Sequence, residues 1–229
     1  MLNKNVREIL VQLGQINQSQ IITYPVTTIM LGKSIQAFLD VAKLGETEFE
    51  EIGVFDIAQL NSVISVLDEP AITNDNGTLT IKSKGQSIKY GTTNIDIIES
   101  ECRGKPDLLD RITGNNTLVM SFEIDAKELG RIKQMSGLLK ELSDLVISSN
   151  EGKITLEVTS TEKSSNNYSV EVPGSIHEEI KMSLIMDAVK KLPNSGFKVQ
   201  VYKSKKGSLV AVFESTNVEG LNIVISPKA

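Results

Sequence analysis

Residues 54–67 read VFDIAQLNSVISVL, and this stretch carries the clearest structural signal in the chain. An apolar strand end runs into Asp56, and Gln59 follows three residues later. That pair matches a capping box, which satisfies the free amides at the start of a helix, while Phe55 and Leu60 occupy the two positions of a hydrophobic staple. Apolar side chains then recur with helical spacing. The stretch predicts a strand that passes directly into a capped amphipathic helix with the apolar stripe Leu60, Val63, Ile64 and Leu67.

The same unit recurs elsewhere in the chain. Asp125 and Glu128 repeat the capping box after an apolar strand, and Leu129 begins the stripe that follows. Near the start of the chain, Asn5 and Glu8 supply the box of another copy. Its apolar stripe is Val6, Ile9, Leu10 and Leu13.

A fourth, degenerate copy lies near the end of the chain. Asp187 follows an apolar strand, but Lys190 stands where the acidic box residue is expected, and Pro193 ends the helix within two turns. Four copies of one unit predict an internally duplicated chain.

Alternating strands follow each helix and predict antiparallel sheet with one wet or half-wet face. The connector between the second and third units, about 91–117, is rich in Gly, Asp, Glu and Asn and has weak periodicity. The prediction is an α+β protein of two tandem domains, 1–110 and 118–229. The predicted hairpins are 71–82 through Asn76-Gly77 and 145–158 through Glu151-Gly152. The segment 197–213 is predicted to turn at Lys206-Gly207, and the strands near 20–31 are predicted to turn around Tyr24-Pro25.

Open sheet edges predict self-assembly. The unpaired backbone N–H and C=O groups along an open sheet edge must be covered, charged or paired with another subunit. A subunit whose two edges differ and complement each other makes head-to-tail contacts with its neighbours, and such contacts can close into a ring. With two domains per chain, a trimer would place six similar domains around a hole.

The polar faces of the predicted helices carry cations, although the net charge is −5. If equivalent helices line the hole, these cations face the DNA backbone, which they bind by counterion release and without sequence information. For any one cation, ordinary solvation of a polar helix face is the alternative interpretation. The predicted DNA-facing residues are Lys4, Arg7, Lys127, Arg131, Lys133, Lys190 and Lys191.

Enzymatic signatures are not found in the sequence. Gly32-Lys33-Ser34 resembles the end of a phosphate loop, but Thr27 stands where that motif requires glycine. His177 and Cys102 are the single histidine and cysteine, which excludes the usual nitrogen and sulfur metal clusters. We therefore expect a non-enzymatic protein with no catalytic residues, metal or cofactor.

Export and membrane insertion are not expected either. Arg7 and Glu8 interrupt the N-terminus where a signal peptide is apolar, and no apolar run approaches the roughly 18 residues of a membrane span. A lone cysteine fits a reducing compartment.

Three stretches resemble the sliding clamps of T4-type bacteriophages and, more distantly, the two-domain eukaryotic clamp. They are 49–72 (FEEIGVFDIAQLNSVISVLDEPAI), 186–214 (MDAVKKLPNSGFKVQVYKSKKGSLVAVFE) and, more loosely, 7–31. The resemblance implies processivity-fold domains in a closed homotrimeric ring around duplex DNA, in the cytoplasm of an infected bacterial host. It also implies a clamp loader, a DNA polymerase tethered for processive synthesis, and late-transcription factors that use the ring as a mobile platform.

The resemblance places Lys4, Arg7, Lys127, Arg131 and Lys190 at inner-helix positions. It also implies a partner-peptide pocket near the connector and the last strands, around Ile97, Leu109, Val218 and Leu221, although these four side chains are equally explained as core. The competing hypothesis for the whole chain is a phage structural or interaction protein of duplicated β units that does not bind DNA.

Overall fold

The computed structural model describes residues 2–75, 77–139, 142–160 and 166–228. These residues form two compact units. The first holds the described residues up to Gly32 together with Gln36–Pro106, and the second holds Lys33–Ile35 and the described residues from Asp107 onward. The division thus falls inside the predicted connector. Both units combine antiparallel strands with helices, which confirms the predicted α+β class.

The first unit contains two small antiparallel sheets and a further strand pair. β1 pairs with β4, β5, β6 and β7 are neighbours in that order, and β2 lies beside β3. Its helices are α1 (Lys4–Leu13), α2 (Ile57–Ser65) and α3 (Ile95–Cys102). Its strands are β1 (Gln20–Ile22), β2 (Val26–Leu31), β3 (Ile35–Asp40), β4 (Ile52–Val54), β5 (Ala71–Asp75), β6 (Thr78–Ser83) and β7 (Gln86–Gly91).

The second unit is built on two larger strand arrays. One runs β12-β8-β14-β15-β16 and the other β11-β10-β9-β13, with antiparallel pairing throughout. Its helices are α4 (Leu108–Asn115), α5 (Ala126–Leu138) and α6 (Met186–Lys190). Its strands are β8 (Thr117–Ile124), β9 (Asp144–Asn150), β10 (Lys153–Thr159), β11 (Tyr168–Val172), β12 (Gly174–Ile176), β13 (Lys181–Ile185), β14 (Phe197–Lys203), β15 (Leu209–Ser215) and β16 (Leu221–Ile225).

Two of the predicted helix caps are confirmed. An oxygen of Asp56 accepts the Gln59 N–H at 2.9 Å at the start of α2, and Asp125 accepts the Glu128 N–H at 2.7 Å at the start of α5. Each side chain thereby satisfies one of the free amides of the first helical turn.

The cap predicted at Asn5 was wrong, because α1 begins two residues earlier. Its cap is Asn3, whose side-chain oxygen accepts the Val6 N–H at 3.0 Å. The buried Glu46 carboxylate accepts the backbone N–H groups of Leu2 and Asn3, which fixes the chain just ahead of the helix. A partner more than 40 residues away decides this boundary, so local pattern did not reveal it.

The staple predicted between Phe55 and Leu60 was also wrong. β4 ends at Val54, and the Phe55 side chain lies outside the strand with 67% of its surface exposed. Leu60 is buried without it.

Both predicted hairpins and the predicted turn of 197–213 are confirmed. β5 and β6 pair from Asp75 opposite Thr78 (Asn76 lies outside the described residues), and β14 pairs with β15 up to Lys203 opposite Leu209. The turn between β9 and β10 is Glu151-Gly152, and both residues have positive φ, 50° and 78°, as a two-residue hairpin turn requires.

The predicted turn around Tyr24-Pro25 is present, but the two strands that it joins do not pair with each other. β1 and β2 flank Tyr24-Pro25 as expected, but β1 pairs with β4 while β2 lies beside β3. The turn therefore joins two different sheets.

The connector contains two helices that its polar composition concealed. Asn94 caps α3 by accepting the Asp96 N–H at 3.1 Å, and Ile95, Ile98 and Cys102 pack with Ile21 at helical spacing. Charged and amide residues on the exposed side hid this narrow apolar stripe. The connector is therefore largely structured.

The same helix arrangement occurs in each unit. α1 packs against α2 in the first unit, and α5 packs against α6 in the second. In the second unit α5 also contacts β10, and α6 contacts β9 and β13. Each of the four helices buries apolar residues, which leaves most of their polar residues outward. None of the helices in the described residues has the length and hydropathy needed to cross a membrane.

Candidate nucleic-acid interface

The α5 helix presents two exposed cations. Lys127 lies in the first turn, and Arg131 follows one turn later, with its guanidinium 3.3 Å from a Glu128 oxygen. The other Glu128 oxygen accepts the Tyr168 hydroxyl at 2.7 Å. Because the hydroxyl donates to a carboxylate, the pKa of Tyr168 is raised. Glu128 therefore accepts from two donors. Because Arg131 is exposed, exchanging Glu128 for another anion costs it little free energy.

The α6 helix adds a weaker basic element. Lys190 is exposed and its ammonium lies 4.0 Å from Asp187, a loose pair within the same short helix. Lys191 follows directly and is half-buried. Exposed pairs of this kind contribute little to stability, so Lys190 can exchange its partner readily.

Lys133 faces the protein, unlike the other cations of α5. Its ammonium donates to the Leu192 carbonyl oxygen and to the Asn194 side chain, the latter at 3.3 Å. Burial lowers the pKa of Lys133 below its ordinary value. The residue ties α5 to the turn that follows α6, so the structure gives it a structural role in place of the predicted exposure.

In the first unit the two predicted cations differ from one another. Lys4 is exposed, with its ammonium 3.8 Å from Glu8 one turn along α1. Arg7 is only 8% exposed and its Nη1 donates to Asn61 of α2 across a long 3.5 Å contact. Burial lowers the pKa of Arg7. Lys4 thus fits a solvent-facing contact, whereas Arg7 lies between the helices.

The α2 helix contributes neutral polar groups to the first pair. Gln59 and Ser62 are exposed and Asn61 is half-buried. The basic character of the helix faces is therefore stronger in the second unit than in the first.

The four residues predicted to line the partner-peptide pocket differ in exposure. Ile97 is 73% exposed on α3, Leu109 is half-buried on α4, and Val218 is half-buried in the turn before β16. Leu221 is 1% exposed at the start of β16, so its side chain fills the core and offers no surface to a partner. For the other three residues the pocket stays a prediction.

The side-chain types that usually bind metals do not cluster in the described part of the chain. No group of three or more His, Cys, Asp or Glu side chains there is arranged to hold a metal ion. Cys102 is buried at the end of α3, and burial raises the pKa of its thiol.

Comparison with known proteins identifies the fold. No family model and no curated protein matches the sequence. Among solved structures, one of the C-terminal region of FEN-1 bound to A. fulgidus PCNA matches with a TM-score of 0.67 and 12% identity over 97% of this chain and 94% of that one. The chain has the two-domain sliding-clamp fold.

A second sliding clamp supports the same assignment. The proliferating cellular nuclear antigen from Entamoeba histolytica matches with a TM-score of 0.64 and 12% identity, again over 97% of this chain and 94% of that one. At this identity the likeness concerns the fold alone.

Proposed function

We propose that this protein is a DNA sliding clamp that encircles duplex DNA without reading its sequence. The observation that carries the proposal is the repeated helix pair, present in each unit of a sliding-clamp fold, with exposed cations on its polar face. Lys4, Lys127, Arg131 and Lys190 are held by loose pairs or by solvent, which suits transient contacts to phosphates. Contacts to the backbone alone position a protein on DNA without fixing its place.

The finer role follows from the resemblance to T4-type phage clamps. We propose a homotrimer whose clamp domains are 1–110 and 118–229, opened by a clamp loader in the cytoplasm of an infected bacterium. The ring would tether the replicative polymerase and serve late-transcription factors as a mobile platform.

Sheet edges supply the means of ring closure. Among the described residues, β7 in the first unit and β11 in the second each have a neighbour on one side only. The opposite edge of the β11 array, β13, is partly covered, because the Lys228 N–H donates to the Ser183 carbonyl oxygen at 2.8 Å. We propose that β7 of one copy pairs with β11 of the next, since an open edge favours strand addition.

The two edge strands have matching faces. Ile88 and Tyr90 of β7 are half-buried, as are alternate residues of β11, so pairing would continue one apolar face. On the exposed faces, β7 carries Lys89 and β11 carries Glu171, whose carboxylate lies 3.1 Å from Lys153. Opposite charges on the two edges favour the head-to-tail arrangement over pairing of like edges.

Exchanging these charges tests the interface. Lys89→Glu and Glu171→Lys are each expected to weaken trimer formation by about threefold to tenfold per interface, because each places like charges on both edges. The double variant is expected to regain most of the loss. Sedimentation velocity across a concentration series gives the dissociation constants. Equal dissociation constants for the parent and all three variants would contradict the proposed pairing.

A comparison of retention on circular and linear DNA tests whether the protein encircles DNA. A closed ring should have three times the chain mass by light scattering and should stay on circular DNA after loading, yet leave a linear duplex through its free ends. A monomer at all concentrations, or equal retention on circular and linear DNA, would refute the proposal. Cutting the circle after loading serves as the control, since it should release the bound protein.

A further inference from the structure

A cleft of about 860 Å³ lies between α1 and α2 in the first unit. The two helices form its sides, and the segments 45–47 and 67–70 complete it. Lys4 stands at its exposed rim, whereas Arg7 and Asn61 line the part between the helices.

Arg7 is the unusual group in this cleft. Its side chain is more than nine-tenths buried, yet among the described residues its Nε has no hydrogen-bond partner. The single contact of its Nη1, to Asn61, is long at 3.5 Å. Burying a cation with its donors unused is costly unless an anion satisfies them.

The carboxylates around the cleft have other partners. Glu46 accepts two backbone N–H groups, Glu8 faces Lys4, and Asp68 pairs with Lys84. Glu69 is exposed. Within the described residues no carboxylate oxygen forms an ion pair within 4.0 Å of the Arg7 guanidinium. Glu8, the next residue along α1, acts on Arg7 only through its charge, which raises the pKa that burial lowers.

We propose that the α1–α2 cleft is an anion site that receives one phosphate group, with Arg7 as its fixed donor. A guanidinium presents its Nε and Nη donors as a fork that matches two oxygens of a phosphate. Lys4 at the rim adds a second cation, which suits phosphate better than a single carboxylate. The group is either free phosphate or a DNA backbone phosphate, and only the second source rests on the proposed function.

The Nε–H signal of Arg7 in a nitrogen–proton correlation spectrum reports the site directly. The signal is assigned by its loss in Arg7→Gln. Sodium phosphate is expected to shift it at matched ionic strength against sodium chloride, while the signal of Arg111, an exposed arginine on α4 paired with Asp107, stays in place. Lys82→Gln, at an exposed lysine of β6 outside the cleft, is the matched control.

The affinity for phosphate is measured from the same titration and by calorimetry. Arg7→Gln is expected to weaken phosphate binding by about tenfold or more, because a charge-assisted hydrogen bond is lost, and Lys4→Gln by about threefold. Arg7→Lys, which keeps the charge but loses the fork, is expected to fall between them. An unmoved Arg7 signal in phosphate, or equal affinity in Arg7→Gln and the parent, overturns the site.

A short blunt duplex distinguishes the sources. A shift of the Arg7 signal with both duplex and phosphate supports a backbone phosphate, and a shift with phosphate alone supports a free one. An acidic peptide that moves the signal at lower concentration than phosphate overturns the phosphate assignment. If the protein is retained on circular DNA but its Arg7 signal does not move, the phosphate site is refuted and the clamp proposal stands. If phosphate moves the signal but the protein is never loaded onto DNA, the clamp proposal is refuted and the site stands.

Discussion

Replacing Lys127 and Arg131 together by glutamate is expected to leave the trimer intact and to remove most of the retention on circular DNA. Both side chains are exposed on α5, and their partners lie on their own helix or in solvent. Each phosphate contact contributes about 0.9 to the slope of log affinity against log salt, so losing two per subunit lowers that slope by roughly 5 in a trimer. Retention of the loaded ring across a salt series measures the slope.

Lys205 and Lys206 provide the matched control. They are exposed in the turn between β14 and β15 of the same unit, so Lys205→Glu with Lys206→Glu makes the same charge change away from the helices. The control is expected to keep nearly the full salt slope. If the two double variants lose retention equally, net charge and not the helix face governs binding. If the α5 variant fails to form a trimer, these side chains are structural.

Local chemistry was sufficient to predict several elements of the fold. The caps at Asp56 and Asp125 and the turn at Glu151-Gly152 depend on residues within three or four positions of one another. Alternating strands and repeated helix starts then identified the duplication. Such features follow from backbone satisfaction and turn geometry, which act over short stretches of chain.

Long-range partners decided the features that the sequence did not reveal. The start of α1 depends on Glu46, and the tie between α5 and the α6 turn depends on Lys133 reaching Leu192. In the connector, Asn94 and a three-residue apolar stripe form α3 within a polar composition. The contacts of Glu46 and Lys133 leave no periodic trace in the sequence, and the helical spacing of the α3 stripe extends over only three apolar residues.

The predicted DNA-facing residues were also only partly predictable from local sequence. Sequence pattern placed the cations on helices, but burial separates their roles: Lys127 and Arg131 face solvent, whereas Arg7 and Lys133 are drawn into contacts between elements. A cation at a polar helix position is therefore a candidate for DNA contact only after its neighbours are known. The tether to a polymerase rests on the resemblance.

Replacing Leu60 by alanine is expected to lower the free energy of unfolding by about 3 kcal/mol, since deletion of a buried leucine side chain leaves a cavity. Leu60 is 1% exposed on α2, where the helix packs against α1. Val66, directly after α2, is 75% exposed and is the control; Val66→Ala is expected to change stability by less than about 0.5 kcal/mol. Urea unfolding followed by circular dichroism measures both.

Leu60→Ala also distinguishes the effect of weakened helix packing from the effect of removing the cations that the helices carry. Leu60→Ala leaves every cation in place, so any loss of DNA retention must come through the α1–α2 pair that positions Lys4. Retention should then recover at low temperature or low urea, where the variant is folded, whereas the α5 charge variant should not recover under any folded condition. A Leu60→Ala protein as stable as the parent would show that the buried face of α2 does not hold this helix pair together.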